Sequence, residues 1–187
     1  MGDGLDVSAV VLAAGLGTRF GEPKVNAILH GRPFLDHVVE RLREAGVTSI
    51  IAVVPPGTAV PGGVRAVENP EPDQGQSLSL RLGVAAIPAG HAALFLLVDE
   101  PTIPVKTLRS VLGARGARPI VAAEAGERFG PPVLVEPGAF AVVAAAIGDI
   151  GLRAVLREHP DLVTAVAVAG HPPDVDTQDD LAALGGR

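Results

Sequence analysis

Apolar residues in this chain occur in short continuous runs that alternate with longer stretches of helical periodicity. The run over residues 7–13 is rich in β-branched residues and leads into a glycine-rich loop. Such a continuous apolar run is typical of a strand that is buried on both faces. Residues 33–45 instead place Leu35, Val38 and Leu42 on one helical face, between an initial proline and a following glycine. The same criteria predict further strands at residues 48–54, 64–67, 92–98, 119–123, 132–135 and 163–168. They predict further helices at residues 76–86, 104–114, 137–146, 152–158 and 177–184.

The order of these elements predicts the fold class. Strands that alternate with helices of this length form parallel βαβ units. Two short strands around Gly130 predict a hairpin or an edge inserted in an otherwise parallel sheet. Because no repeat, linker or charge block divides the 187 residues, we expect one α/β domain over residues 1–187.

The composition excludes several classes of function. The chain has no cysteine, which excludes a disulfide framework, a thiol nucleophile and a cysteine-ligated metal site. Its formal charge of −6 and its lack of Tyr and Trp argue against a nucleic-acid groove. No apolar run is long enough to span a bilayer, and the acidic start differs from a secretion signal. We therefore expect a cytoplasmic protein that binds neither nucleic acid nor a membrane.

The segment from Gly15 to Lys24 carries the strongest functional signal. Its glycines follow a buried strand directly and let backbone N–H groups approach an anion closely. Arg19 and Lys24 add two cations, so the segment is suited to a polyphosphate. It is not a Walker A loop, because the GxxxxGK[ST] spacing is absent. It is not a dinucleotide-binding loop either, because its spacing is GxGxxxG and Pro23 interrupts any helix.

Residues 12–24 follow the pattern LAAGxGxRxGxxK. In this the chain resembles the MobA-like nucleotidyltransferases, which attach CMP or GMP to molybdopterin, and more widely the sugar- and alcohol-phosphate nucleotidyltransferases. The resemblance implies a single-domain, Rossmann-like three-layer sandwich of the nucleotide-diphospho-sugar transferase type, mostly parallel with an antiparallel edge. It also implies that the loop wraps the NTP phosphates while Arg19 and Lys24 neutralise charge. The nucleotide-binding residues that it implies are Leu12, Ala13, Ala14, Gly15, Gly17, Arg19, Lys24, Asn69, Gly75, Ser77, Ser79 and Asp99.

Transfer of a nucleotide onto a phosphate requires charge neutralisation more than a general base, because a phosphate monoester is mostly ionised at pH 7. A hard divalent cation held by carboxylates neutralises that charge, so an aspartate is expected at the carboxyl end of a central strand. Asp99 follows an apolar run and precedes Pro101, where the family has D-x-P and its aspartate ligates magnesium. A plain helix-start residue is the alternative for Asp99. Glu100 adds a second carboxylate, to which the sequence assigns no role.

Residues 174–181 resemble the family motif D-x-D-T-P-E-D-L. The resemblance implies that Asp176 is a second metal ligand, so the implied ligands of Mg²⁺ or Mn²⁺ are Asp99 and Asp176. Thr177 with Asp180 forms a capping-box-like helix start, which explains the motif structurally as well.

Three other segments concern the base and the acceptor. Residues 69–81 resemble the family's N…GMSSSL stretch, whose Gly and Ser line the base and ribose, although helix capping by Ser77 explains the segment equally well. Residues 148–153 resemble the G-D-x-G-x-R turn on the acceptor side. Gly130-Pro131-Pro132 stands where the molybdopterin enzymes commonly have Gly-His-Pro, which leaves the identity of the acceptor open.

These features predict a Mg²⁺-dependent nucleotidyltransferase with Arg19, Lys24 and Asp99 as catalytic residues and with an NTP and a phosphorylated small molecule as substrates. The length leaves no room for an acceptor domain, which favours molybdopterin as the acceptor. Ala14 resembles the residue of the cytidylyl branch, because the guanylyl enzymes tend to have Gly at this position, and this favours CTP over GTP. The resemblance adds a molybdoenzyme or its chaperone as a partner. A sugar phosphate or another phosphorylated alcohol is the alternative acceptor. A nucleotide-binding regulatory protein without catalysis is the alternative class, against which the intact Arg19, Lys24 and Asp99 argue.

Overall fold

The predicted alternation of strands and helices is present in the computed structural model, which describes residues 6–18, 20–21, 23–126, 128–145, 151–170 and 174–185. The strands are β1 Val7–Leu12, β2 Ile28–Leu29, β3 Arg32–Pro33, β4 Ser49–Val54, β5 Val64–Glu68, β6 Ala92–Leu97, β7 Ile120–Ala125, β8 Arg128–Val135 and β9 Val163–Ala167. The helices are α1 Phe34–Glu44, α2 Gln76–Ala86, α3 Val105–Gly113, α4 Phe140–Ala144, α5 Leu152–Glu158 and α6 Gln178–Gly185.

Seven of these strands form one sheet in the order β5-β4-β1-β6-β8-β7-β9. β1 pairs in parallel with β4 and β6, β4 with β5, and β7 with β9. The mostly parallel α/β fold expected from the sequence is therefore confirmed. β8 is antiparallel to β6 and to β7, so the antiparallel strand lies inside the sheet and not at the expected edge. Residues 130–135 of β8 are buried, and a buried backbone needs hydrogen-bonding neighbours on both sides.

Helices cover both faces of the sheet. Successive side chains of β1 point to opposite faces, so Ala9 and Val11 enter one core cluster while Val10 and Leu12 enter the other. The first cluster includes the apolar residues of α1 and α3, with α6 packed against it, and the second includes those of α2, α4 and α5. The result is three layers.

Helix α2 approaches the sheet closely at Gly83. A Cβ atom at this position would lie 2.5 Å from Val10 Cγ1 and 3.6 Å from Val53 Cγ2. Only glycine fits this packing without a shift, because real Cβ contacts are not this short. Gly83 thereby sets the distance between α2 and the sheet, and with it the place of the helix start beside the cavity described below.

The largest differences from the sequence-based expectation concern β8, the helix that follows it and an unpredicted hairpin. β8 begins at Arg128 because its ladder with β7 extends beyond the apolar run, with Phe129 opposite Glu124. The helix expected over residues 137–146 is a 3₁₀ turn, Pro137–Ala139, followed by α4, and residue 146 lies outside the described residues. The β2–β3 hairpin consists of two-residue strands, which are too short to show any periodicity.

None of the helices in the described ranges has the length and apolar character needed to cross a membrane.

Candidate active site

The carboxyl ends of β1 and β6 open into a cavity of about 410 Å³. From β1 the sheet continues to β4 and β5 on one side and to β6 on the other, so the cavity lies where the strand order reverses. Open α/β sheets bind their ligands in this crevice. The cavity is lined by Leu12, Ala14, Gly15, Leu16, Gly17, Thr18, Lys24, Pro72, Asp73, Gly75, Gln76, Ser79, Leu97, Val98, Asp99 and Asp176.

The glycine-rich loop forms one wall of this cavity. Gly17 has a φ of +59°, a left-handed conformation that favours glycine, and its carbonyl accepts hydrogen bonds from the N–H groups of Phe20 and Gly21, both at 2.8 Å. The Phe20 ring is buried and lies 6.4 Å from that of Phe34, which anchors the loop to the core. Within the described part of the chain, the N–H groups of residues 15–18 donate to no backbone carbonyl. N–H groups of this kind at a glycine-rich turn can bind an anion.

Lys24 connects the two predicted metal ligands. Its Nζ atom donates to Asp99 Oδ2 at 2.8 Å and to Asp176 Oδ1 at 2.5 Å. Lys24 begins a 3₁₀ turn after the glycine loop, Asp99 follows β6, and Asp176 precedes α6. The N–H of Val175 donates to the carbonyl of Asp99 at 3.1 Å, which holds the two acidic segments together. The structure thus brings three separately predicted residues into one contact.

Burial and neighbouring charges have opposite effects on the pKa values of Lys24 and Asp99. Burial by itself would lower the pKa of Lys24, but the hydrogen bonds to Asp176 and Asp99 and their negative charge raise it above its ordinary value. Burial raises the pKa of Asp99, and Lys24 offsets this only in part. Lys24 is therefore a charged ammonium at neutral pH, and it faces two carboxyl groups.

Glu100 adds a buried carboxyl group beside Asp99. Its side chain is 1% exposed, and within the described residues neither of its carboxyl oxygens makes a hydrogen bond of normal geometry. Burial, followed by repulsion from Asp174 and Asp99, raises the pKa of Glu100 to about 9. Asp174 in turn forms an ion pair with Arg153 at 3.7 Å. Glu100 is therefore un-ionised at neutral pH, a property that depends on its burial and is not visible in the sequence.

Asp180 fixes the start of α6 and the position of Asp176. Its Oδ2 atom accepts from the Thr177 N–H at 2.8 Å, the Thr177 hydroxyl at 2.7 Å and the Asp176 N–H at 3.1 Å. The Asp180 N–H donates to Thr177 Oγ1 at 3.2 Å, which confirms the capping-box-like start. The bonds from Thr177 lower the pKa of Asp180. Gln178 Nε2 donates to the Phe20 carbonyl at 3.3 Å and joins α6 to the glycine loop.

The serines and the asparagine of residues 69–81 occupy different places. Asn69 is fully buried, and its side chain donates to Ser79 Oγ at 3.0 Å and accepts from the Glu71 N–H at 3.0 Å. Ser79 lines the cavity, whereas Ser77 is buried and is not among the lining residues. Asn69 therefore lies behind the cavity wall and holds the loop after β5 against α2.

Most of the predicted site residues converge on the cavity. Ala13 is buried in the core on the opposite face of β1. Arg19 lies outside the described residues, as do residues 148–150 of the predicted acceptor-side turn. Asp73 and Gln76 line the cavity although the sequence assigned them no role; both belong to the segment that resembles the family motif. The predicted residues that line the cavity are Leu12, Ala14, Gly15, Gly17, Lys24, Gly75, Ser79, Asp99 and Asp176.

The donor set at Asp99 and Asp176 fits a hard divalent cation that is shared with a substrate. Across the described ranges, no three His, Asp or Glu side chains are placed to hold a metal ion by themselves. The two carboxylates already hold one cation, the Lys24 ammonium, and Asp99 Oδ1 is buried without a hydrogen-bond partner among the described residues. Mg²⁺ is usually bound by one or two carboxylates, with phosphate oxygens and water as the remaining ligands. Asp99 and Asp176 would supply the protein's part of such a shell if a cation bound here.

A glycine-rich anion loop, a lysine and two carboxylates at the switch point of a mostly parallel sheet define a nucleotide-binding α/β protein. The chain belongs to the MobA-like NTP transferase family, whose domain matches residues 9–163. The resemblance recognised in residues 12–24 is thereby confirmed.

Relatives with different functions match this chain. It is 33% identical over 171 residues to the molybdenum cofactor guanylyltransferase of Acidiphilium cryptum, covering 81% of this chain and 84% of that protein. It is 29% identical over 195 residues to the nicotine blue oxidoreductase of Paenarthrobacter nicotinovorans, covering 95% of this chain and 96% of that protein. Other relatives are longer: the chain spans 27% of the bifunctional protein GlmU of Bordetella parapertussis, at 34% identity over 122 residues and 59% of this chain.

Solved structures share the fold over nearly the whole chain. Rv0371c from Mycobacterium tuberculosis H37Rv superposes with a TM-score of 0.85 and 25% identity, covering 98% of this chain and 100% of that chain. A structure of Rv0371c in complex with manganese gives a TM-score of 0.79 and 26% identity, covering 96% of this chain and 98% of that chain. Manganese has thus been found in complex with a protein of this fold.

Proposed function

We propose that this chain transfers CMP from CTP to the phosphate of molybdopterin and releases pyrophosphate, with Mg²⁺ or Mn²⁺ bound by Asp99 and Asp176. One observation carries the proposal: the glycine loop, the Lys24 ammonium and the two carboxylates meet in one cavity. Transfer from a triphosphate needs anion-binding N–H groups, a cation at the phosphates and ligands for a divalent metal together. The cavity of about 410 Å³ lies within the range of about 300–1,000 Å³ that is typical of small-ligand sites.

In the proposed reaction an oxygen of the acceptor phosphate attacks the α-phosphorus of CTP. A new P–O bond forms, the bond from the α-phosphorus to the bridging oxygen breaks, and pyrophosphate leaves with the electron pair. The attacking phosphate is already ionised at pH 7, so no side chain has to remove a proton. A bound divalent cation would supply neutralisation of the phosphate charge. Lys24, and Arg19 in the same proposal, stabilise the negative charge that develops on pyrophosphate, while the loop N–H groups orient the triphosphate.

Pyrophosphate release from an NTP and molybdopterin tests this proposal directly. Lys24→Ala should lower the rate about a hundredfold or more, because it removes a charge that acts on the leaving group. Lys106 is the other lysine of the chain and is exposed on α3, so Lys106→Ala is the matched control and should keep the wild-type rate. Wild-type turnover in Lys24→Ala would overturn the assigned role of Lys24.

The choice of CTP rests on Ala14, which lies in the cavity wall at the end of β1 and is similar to the cytidylyl branch. CTP with Mg²⁺ should raise the melting temperature more than GTP, ATP or UTP does, since at equal concentration the ligand that binds the folded state more tightly stabilises it more. A larger shift with GTP would indicate that the chain prefers guanine, as the name of its guanylyltransferase relative implies. The proposed transfer reaction would then still stand.

The acceptor is tested by the same assay. Gly130, Pro131 and Pro132 lie in β8 and replace the family's Gly-His-Pro. Pyrophosphate release with a sugar phosphate or another phosphorylated alcohol, and none with molybdopterin, would establish the alternative acceptor class. Tight NTP binding without release in any mixture would indicate a regulatory protein.

The match to nicotine blue oxidoreductase over 95% of this chain supports a redox enzyme as a second candidate. Turnover of nicotine blue with an added electron donor, and no pyrophosphate release from any NTP, would favour this candidate over nucleotide transfer.

The proposed function includes three expectations from the sequence. We propose that residues 1–187 act as one domain, that the protein works in the cytoplasm, and that a molybdoenzyme or its chaperone receives the product. Copurification of the protein with a molybdoenzyme from cells that make the cofactor would test the last of these.

A further inference from the structure

The Lys24 ammonium lies between the two carboxylates that are proposed to bind the metal. Its distances of 2.8 Å to Asp99 Oδ2 and 2.5 Å to Asp176 Oδ1 mean that these two oxygens are at most 5.3 Å apart, the sum of the distances. A single Mg²⁺ with ligands at about 2.0–2.1 Å would bridge oxygens that are up to about 4.2 Å apart. The gap between Asp99 Oδ2 and Asp176 Oδ1 therefore has room for one cation only, and the Lys24 ammonium fills it.

An ammonium and a divalent cation in this gap would also repel each other at very short range. Lys24 is 15% exposed, Asp99 19% and Asp176 33%, so solvent screens this repulsion only in part. Lysine has a flexible four-carbon side chain, so its charged end can move while its backbone stays in place. The phosphate-binding wall formed by residues 15–18 lines the same cavity as Lys24 and gives the ammonium a second place to bind once a polyphosphate is present.

We propose that Lys24 is an internal counter-ion that keeps the divalent cation away from Asp99 and Asp176 until a nucleotide polyphosphate draws the ammonium to itself. This inference rests on the proposed nucleotide and metal sites and adds an order of events to them. The cation binds weakly to the free protein and tightly together with the triphosphate, so the protein does not hold a metal without its substrate. Lys24 then changes partners, from the carboxylates to the phosphates.

The test measures binding of Mn²⁺ alone, without nucleotide, from the loss of the electron paramagnetic resonance signal of free Mn²⁺. Lys24→Met keeps an unbranched side chain of similar length and removes the ammonium, so we expect Mn²⁺ to bind about tenfold more tightly or better. Removing any nearby positive charge also favours the binding of Mn²⁺, and Arg153→Met controls for this effect. Arg153 contributes a positive charge to the neighbouring carboxylates through its 3.7 Å ion pair with Asp174 but does not occupy the gap. We expect Arg153→Met to change the Mn²⁺ affinity by less than about threefold.

Adding Asp176→Asn to Lys24→Met should abolish the gain, because the tighter site requires both carboxylates. Melting curves of each variant establish that the protein is folded. Equal Mn²⁺ affinity in the wild type and Lys24→Met would overturn the inference, since the cation would then bind elsewhere, for example at Asp99 Oδ1, beside a stationary ammonium. Equal gains in Lys24→Met and Arg153→Met would also overturn it. Pyrophosphate release by the wild type is measured separately. A failure of this inference can therefore be distinguished from a failure of the proposed transfer reaction.

Discussion

Glu100 is un-ionised in the folded protein and ionised in the unfolded chain over a wide pH range, so its replacement by Gln should stabilise the protein in a pH-dependent way. The pKa of Glu100 rises from 4.5 to about 9 on folding, because burial and then the charges of Asp174 and Asp99 disfavour the carboxylate. Between these two values the folded state holds a proton that the unfolded state has lost. Stability therefore falls as the pH rises from about 4.5 towards 9, which is opposite to the usual effect of a carboxylate in an ion pair.

The size of the effect follows from the shift. Each pH unit above the unfolded-state pKa of 4.5 costs about 1.4 kcal/mol, which amounts to about 3 kcal/mol at pH 7. Gln has nearly the shape of the protonated carboxyl group and can still donate a hydrogen bond, but it has no proton to lose. Glu100→Gln should remove most of this cost, so its advantage over the wild type should be near zero at pH 4.5 and grow up to about pH 9.

Urea denaturation at pH 5, 6, 7 and 8 with EDTA measures the difference in the free energy of unfolding between Glu100→Gln and the wild type. Glu158 is an exposed glutamate at the end of α5, and Glu158→Gln controls for the loss of one carboxylate. The control should differ little from the wild type at every pH. An advantage of Glu100→Gln that is constant from pH 5 to pH 8, or a loss of stability at all four values, would refute the un-ionised state of Glu100.

Two other predictions concern packing and the metal. Gly83→Ala should lower the free energy of unfolding by about 1–3 kcal/mol, because its Cβ would lie 2.5 Å from Val10 Cγ1. Gly113→Ala in α3 meets no atom within 4 Å and should be neutral or stabilising in the same urea titration; equal effects of both changes would contradict the packing argument. Asp99→Asn should lower turnover about a hundredfold or more with little change in CTP affinity, and Asp176→Asn should be milder, across a Mg²⁺ titration. Wild-type turnover of Asp99→Asn would make Asp99 a helix-start residue only.

The sequence determined those features that depend on residues close together in the chain. Continuous apolar runs predict β1, β4 and β6 to within a residue or two, because strands buried on both faces must be apolar throughout. The glycines before Lys24 predict an anion loop, because the absence of Cβ atoms is a local property. Asp99 could be placed at the cavity because it follows an apolar strand, and parallel strands present their carboxyl ends at one edge. The reciprocal Thr177–Asp180 bonds span three residues and were equally predictable.

The tertiary structure decided what depends on residues far apart in the chain. Lys24 contacts Asp99 across 75 positions and Asp176 across 152, and no local pattern specifies that the ammonium lies between the two carboxylates. The pKa of Glu100 depends on burial and on Asp174, which arrives from the segment before α6. The interior place of β8 follows from its pairing with both β6 and β7, whereas its apolar pattern would suit either direction. Periodicity specifies which face of an element is buried, but strand order and side-chain partners depend on how all the elements pack together.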